Sequence, residues 1–154
     1  PVRRSCMAMN DPHPAAPTGR WDTAALKAGA SVALVFAVPF SIGARWAADS
    51  RDDSVLAVWL SVGAVVGFVL GAVCAAWVQR VGLPYSHALA TAVGTYVAAQ
   101  AVFIVARLVR GAEVNWFAAA FNLSVVVGAG VIGGVLGQRL RSKGFRPSGS
   151  ERDR

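Results

Sequence analysis

Polar side chains with a regular spacing occur in the second half of the chain, inside two apolar segments. His87, Thr91 and Thr95 recur every four residues, so a helix would place them on one face. Gln100 follows in the same segment, and Asn122 lies in the next one. If these two helices face each other, the five residues would line a polar path for a small solute. The alternative is structural, because such side chains also bond their own helix or a neighbouring helix.

The apolar segments that carry these residues contain no Asp, Glu, Lys or Arg in their interiors. Ion-coupled transporters usually have such a group, because moving a proton or a charged substrate requires a titratable or counter-charged site. Small four-span multidrug exporters, for example, carry a membrane glutamate that this sequence lacks. His87 is expected to be a hydrated residue near the headgroups rather than a proton relay.

The sequence offers no recognisable catalytic or cofactor site. It contains no nucleophile–base pair, carboxylate dyad or metal-ligand cluster, so we predict no enzyme activity, no cofactor and no metal. Cys6 lies in a polar tail and Cys74 in an apolar segment, which argues against a disulfide. Gly128-x-Gly130-x-x-Gly133 matches the spacing of a dinucleotide fingerprint but lies inside an uncharged segment, not between a strand and a helix.

Four long uncharged segments must position these residues. Hydrophobic residues make up 55% of the chain and charged residues 15%, whereas roughly a quarter of the residues in soluble domains are charged. A helix needs about 20 mostly apolar residues to cross the hydrocarbon, where every backbone group must be bonded internally. We therefore predict an all-α, integral membrane four-helix bundle. The predicted spans are residues 24–44, 55–78, 84–106 and 114–138.

The positions of the basic residues predict the orientation. The transmembrane domain, residues 24–140, lies between a predicted disordered tail at residues 1–23 and a basic one at 141–154. Eleven Lys and Arg residues lie in the tails, at the adjoining span ends and in the second connection, and four lie in the first and third connections. The positive-inside rule then places both termini in the cytoplasm. The net charge of +7 is explained by Lys and Arg residues that flank the spans and set their orientation. We therefore expect no nucleic-acid partner.

Small residues spaced four apart form the clearest pattern in the spans. Glycines on one helix face let two backbones approach closely, which favours helix association in lipid. The predicted helix-packing residues are Gly63, Gly67, Gly71, Gly94, Gly130 and Gly134. We favour contacts among the four helices of this chain over a groove for another protein. A match of residues 60–62 to 123–125 also allows a tandem repeat of two helical hairpins.

The alanine-, valine- and glycine-rich spans, such as VGAVVGFVLGAVCAAW, are joined to arginine-rich ends and a proline-rich N-terminal tail. In these features the whole chain resembles the small, uncharacterised four-span membrane proteins of high-GC Gram-positive (actinobacterial) bacteria. The resemblance is one of composition. It implies a location in the bacterial plasma membrane and no particular biochemical activity.

Two functions follow from these patterns. We expect a non-enzymatic accessory or scaffolding subunit, or a homo-oligomer, that acts through helix–helix packing. Its partners would be the lipid bilayer and either other membrane proteins or further copies of the chain. The alternative is a small channel or transporter subunit with the polar path described above. A tightly packed interior would favour the first function, and a continuous wet cleft the second.

Overall fold

The computed structural model describes residues 20–50 and 54–145. This part of the chain is helical, without a strand, and confirms the predicted all-α four-helix bundle. The helices are α1 (Thr23–Ser50), α2 (Ser54–Val78), α3 (Pro84–Val109) and α4 (Trp116–Ser142).

Each helix is long and apolar enough to cross a membrane. The most apolar stretch of each helix has a mean hydropathy of 1.8 to 2.3, yet only 22% to 28% of that stretch is buried. Large apolar side chains face outward instead: Val102 is 70% exposed and Phe117 81% exposed. An apolar exterior of this extent suits hydrocarbon and not water, so this is the fold of a multi-pass membrane protein.

Local signals in the sequence explain where the helices begin. The side chain of Asp22 accepts hydrogen bonds from two N–H groups in the first turn of α1, and Asn115 accepts one in the first turn of α4. Pro84 occupies the first turn of α3, where its missing N–H is harmless. Gly82 and Gly111, in the connections before and after α3, have positive φ angles of 81° and 68°, which glycine adopts without strain.

Two helix ends differ from the predicted ones by four residues or more, and the other boundaries by three or fewer. Helix α1 continues to Ser50, beyond the predicted end at residue 44, because the polar residues that follow include good helix formers and no breaker. Helix α4 continues to Ser142, and ordered chain follows to Phe145. Residues 20–23 and 141–145, which the prediction assigned to the tails, lie among the described residues, and they include the first residue of α1 and the last two of α4. Residues 1–19 and 146–154 lie outside the described residues.

The bundle is held together by small side chains. Helix α1 packs on α2 and α3, and α4 packs on the same two helices, whereas α1 and α4 do not contact each other in the described part of the chain. Alanines such as Ala33, Ala72 and Ala92 form most of the buried core, together with Phe68 and Val126. We call the end of the bundle where α1 and α3 begin the His87 end, and the opposite end the Arg45 end.

Candidate functional site: a cavity at the Arg45 end

The predicted glycine row of α2 faces α1 at close range. A Cβ added at Gly67 would lie 2.8 Å from the backbone nitrogen of Ala37, and one at Gly71 would lie 2.6 Å from a carbonyl oxygen of α1. A Cβ at Gly63 would lie 2.6 Å from the ring of Phe40. No residue other than glycine fits these three positions without a shift of α1 or of a side chain that it carries.

Glycines of α4 make a similar contact with α3. A Cβ added at Gly134 would lie 2.9 Å from the ring of Tyr85, and one at Gly130 would lie 3.2 Å from the nearest side chain of α3. Gly94 differs from the other predicted packing glycines, because nothing lies within 4 Å of its Cβ position. It lies about 200° around α3 from the buried Ala92, so it packs on none of the other three described helices.

His87 is fully buried at the His87 end of the bundle. Its Nε2 accepts a hydrogen bond of 2.9 Å from the backbone N–H of Asp22, and its Nδ1 lies 2.9 Å from the carbonyl oxygen of Leu83. Both ring nitrogens are therefore used, with the proton on Nδ1. The ring of Trp21 covers the imidazole at a centroid distance of 5.4 Å. The expectation of a hydrated His87 is wrong, because the segment before α1 folds over it.

The Asp22 carboxylate connects the start of α1 to the connection between α2 and α3. Its Oδ1 accepts hydrogen bonds from the N–H groups of Ala24 and Ala25, and its Oδ2 accepts one from the N–H of Arg80, each 3.1 Å long. Partial burial raises the pKa of the Asp22 carboxyl, but these N–H donors stabilise the carboxylate and outweigh it. The pKa of Asp22 is therefore lowered from its ordinary value of 3.8.

Gln79, the first residue after α2, is also buried. Its Oε1 accepts hydrogen bonds from the N–H groups of Val81 and Gly82, at 2.9 and 2.8 Å. Arg141 of α4 donates to the Gln79 carbonyl oxygen at 2.9 Å, so the last turn of α4 is joined to the same group. We call the hydrogen-bonded set of Asp22, Gln79, His87 and Arg141 the polar junction. It connects α3 and α4, at the His87 end, to the residues that directly precede α1 and directly follow α2.

Thr91 lies next to the polar junction in a tightly packed layer. It is only 3% exposed, and its hydroxyl has no hydrogen-bond partner among the described residues. Here α1 and α2 are very close: a Cβ added at Gly29 would lie 2.6 Å from the carbonyl oxygen of Gly71 and 2.9 Å from the Thr91 methyl group. This packed layer separates the polar junction from the other half of the bundle.

A cavity of about 230 Å³ lies beyond the packed layer and is bordered by all four helices. A cavity of this volume has room for several water molecules or a small solute. We call it the Arg45 cavity. Its polar lining residues are Ser41, Arg45, Ser61, Thr95, Tyr96, Gln100 and Asn122. The remaining lining residues are apolar and include Phe68, Phe103 and Val126.

Two contacts hold the walls of the Arg45 cavity in place. The Tyr96 hydroxyl donates a hydrogen bond of 2.7 Å to the carbonyl oxygen of Ala119 and so connects α3 to α4. The guanidinium carbon of Arg45 lies 4.5 Å from the centroid of the Phe103 ring and so connects α1 to α3. A cation–π contact of this kind is made with the ring face and does not use the hydrogen-bond donors of the guanidinium group, and no hydrogen bond joins the Arg45 side chain to another described residue.

The residues of the predicted polar path do not form one path. The structure brings Thr95, Gln100 and Asn122 together around the Arg45 cavity, whereas His87 and Thr91 do not line it. The polar lining residues that the sequence analysis missed are Ser41 and Arg45 of α1, Ser61 of α2 and Tyr96 of α3. Ser41 and Arg45 carried a usable signal, since they are spaced four apart and therefore lie on one face of α1.

The described residues contain no group of three or more His, Cys, Asp or Glu side chains close enough to bind a metal ion. The candidate site is therefore a polar cavity in an apolar bundle, closed at one end by the packed layer and the polar junction. Comparison of the chain with protein-family models, with curated proteins and with solved structures found no match.

Proposed function

We propose that the protein is a small solute-binding or transport subunit of a membrane, with the Arg45 cavity as its binding site. The observation that supports this is the convergence of Thr95, Gln100 and Asn122 on one cavity. Among the described residues of the cavity lining, side-chain hydrogen bonds to protein are made by Ser61 and Tyr96, and these three make none. Polar groups inside a membrane are costly without partners, so a solute or water in the cavity would stabilise them.

The closed His87 end favours a pocket over an open pore. A pore needs a continuous polar route, but the packed layer at Gly29, Gly71 and Thr91 lies between the Arg45 cavity and the polar junction. A cavity that packed residues separate from the opposite end of the bundle suits a binding protein. It equally suits a transporter that is closed on its second side.

Accessibility of a cysteine inside the cavity tests this proposal. Thr95→Cys, in a chain lacking Cys6 and Cys74, should react with a neutral, water-soluble methanethiosulfonate reagent. Adding Ala99→Phe should slow the reaction strongly, because Ala99 lines the cavity. Ala98→Phe is the matched control, because the neighbouring Ala98 is exposed and lies outside the lining. An unreactive cysteine in the folded protein, or equal rates with both phenylalanine variants, would reject the cavity as a solute site.

A second candidate function is that of an accessory or scaffolding subunit, or of a homo-oligomer, which associates through α3. The outward position of Gly94 favours it, because Ala90 and Ala98 flank this glycine at spacings of four and small residues allow close helix contact. Gly94→Leu should then reduce the particle mass measured by light scattering in mild detergent, while the cavity remains accessible to label. An unchanged mass would remove this candidate.

We also propose a location in a bacterial plasma membrane, with both termini in the cytoplasm. The distribution of Lys and Arg, eleven against four, supports this orientation. The Arg45 cavity would then lie in the outer half of the bilayer and the polar junction at the inner surface. The proposal includes no enzymatic step, cofactor or nucleic-acid partner.

A further inference from the structure

Charge around the Arg45 cavity indicates the class of solute that it takes. Among the described residues that line the cavity, Arg45 is the one that carries a charge. Of the acidic side chains that the structure describes, Asp22 belongs to the polar junction at the opposite end, and Glu113 lies in the connection after α3 without lining the cavity. The described lining therefore has a positive potential, which attracts anions and repels cations.

The position of Arg45 suits an anion with two oxygens. Its guanidinium group lies over the Phe103 ring, which holds it between α1 and α3. The in-plane N–H groups of a guanidinium match a carboxylate or a phosphate, to which they donate two parallel hydrogen bonds. Arg45 is exposed while Thr95 is buried, so the charged group lies at the open side of the cavity.

The rest of the lining indicates what the anion carries. The amide groups of Gln100 and Asn122 provide neutral hydrogen-bond donors and acceptors next to the charged group. The buried Phe68 and Val126 provide an apolar surface in the bundle core. A solute with an anionic group at one end and a short apolar body at the other would match both surfaces.

We propose that the Arg45 cavity binds a small organic anion, whose carboxylate or phosphate pairs with Arg45 and whose apolar body contacts Phe68. This inference rests on the proposed solute-binding function. The same anionic chemistry is found in free carboxylates and phosphates and in the headgroups of anionic lipids, so the test must separate these two sources.

The test uses three probes of equal length that differ in charge. Butanoate, butanamide and butylammonium are added at matched ionic strength to Thr95→Cys protein in neutral detergent, and protection from the methanethiosulfonate reagent is measured. Hydrogen bonds to charged groups are stronger than those between neutral groups. Butanoate should therefore give half-maximal protection at a concentration roughly tenfold below that of butanamide. Butylammonium should protect least.

Two matched variants show whether Arg45 is responsible. Arg45→Gln should remove the preference for butanoate over butanamide and leave weak protection by both. Arg107→Gln should keep the preference, because Arg107 donates to the Glu113 carbonyl oxygen and does not line the cavity. As a control, circular dichroism and light scattering would be used to check that each variant remains folded.

The outcomes separate this inference from the proposed function. A preference that survives in Arg45→Gln, or equal protection by butylammonium and butanoate, overturns the anion site. Equal protection by butanamide and butanoate also overturns it but keeps the cavity as a solute site. If no probe protects and the labelling rate does not depend on lipid, both the anion site and the solute-binding function fail.

Reconstitution identifies the source of the anion. The labelling rate is measured in phosphatidylcholine vesicles with and without phosphatidylglycerol. The anion is a lipid headgroup if phosphatidylglycerol slows labelling in the chain that has Arg45 but not in Arg45→Gln, and if butanoate gives no further protection. If butanoate protects in pure phosphatidylcholine, the anion is a free solute. Dependence on Arg45 in either arm supports the site, and its absence from both arms overturns it.

Discussion

The same substitution, glycine to alanine, should have opposite effects at Gly71 and Gly94. At Gly71 the new Cβ would lie 2.6 Å from the carbonyl oxygen of Gly29 and 2.7 Å from the Cβ of Ala33. Real Cβ contacts essentially never fall below 3.0 Å, so α1 and α2 must separate by at least the difference of 0.4 Å. At Gly94 no described residue lies within 4 Å, so the methyl group meets no other part of the chain that the structure describes.

The expected magnitude follows from comparing the two variants. Alanine in a helix interior is favoured over glycine by about 0.5–1 kcal/mol, and this gain applies at both sites. Overpacking a rigid contact costs about 1–3 kcal/mol and applies only at Gly71. The difference in unfolding free energy between the two variants does not contain the gain in helix propensity, because that gain is common to both. The free energy of unfolding of Gly71→Ala should therefore lie about 1–3 kcal/mol below that of Gly94→Ala.

The assay is unfolding of the two variants and the wild-type chain in one mild detergent, followed by circular dichroism and by protease resistance, with particle mass measured in parallel. Equal stability of the two variants would refute the packing argument, because it would mean that α1 and α2 do not touch at Gly71. A loss of particle mass confined to Gly94→Ala would show instead that Gly94 forms a contact between chains.

Three further predictions concern the ends of the bundle. In intact cells, a membrane-impermeant thiol reagent should label a single cysteine at position 50 and not one at position 150; the reverse pattern would refute the proposed orientation. His87→Phe keeps an aromatic ring but leaves the Asp22 N–H without its acceptor, and the free energy of unfolding should fall by about 1–3 kcal/mol; unchanged stability would contradict the polar junction. The folded-state pKa of Asp22 lies below its ordinary value of 3.8. The Asp22 carboxylate therefore contributes its full stability above pH 3.8, and this contribution is lost as the pH falls through the folded-state pKa. Asp22→Asn should remove that part of the acid dependence in detergent unfolding at stepped pH, and an identical pH profile would exclude the carboxylate as its cause.

The bundle itself was predictable because one physical constraint dominates it. In hydrocarbon every backbone group must be bonded within its own helix, so the length and polarity of a segment suffice to identify it as a span. For this reason, α2 ends at Val78 and α3 begins at Pro84, as predicted. The end of α1 was harder to place, because polar residues such as Arg45 can continue a helix beyond the apolar core.

Long-range contacts were not predictable from periodicity. The spacing of glycines shows which residues share a helix face, but it does not show which face meets a neighbour. Gly67 and Gly94 belong to similar rows, yet one faces α1 and the other faces outward. The polar junction depends on pairs far apart in the chain, such as Asp22 with His87 and Gln79 with Arg141. No local pattern marks such pairs.

Arg45 shows how this limit affects the inferred function. From sequence it is one of the basic residues that commonly end a span, and its partner Phe103 lies on a different helix. Because α1 continues past residue 44, Arg45 stays on the same helix face as Ser41 and lines the cavity. The lack of charge inside the predicted spans had argued against a charged substrate. A positive group at the open side of the cavity reverses that argument for anions, since an embedded anion needs a counter-charge and Arg45 provides one.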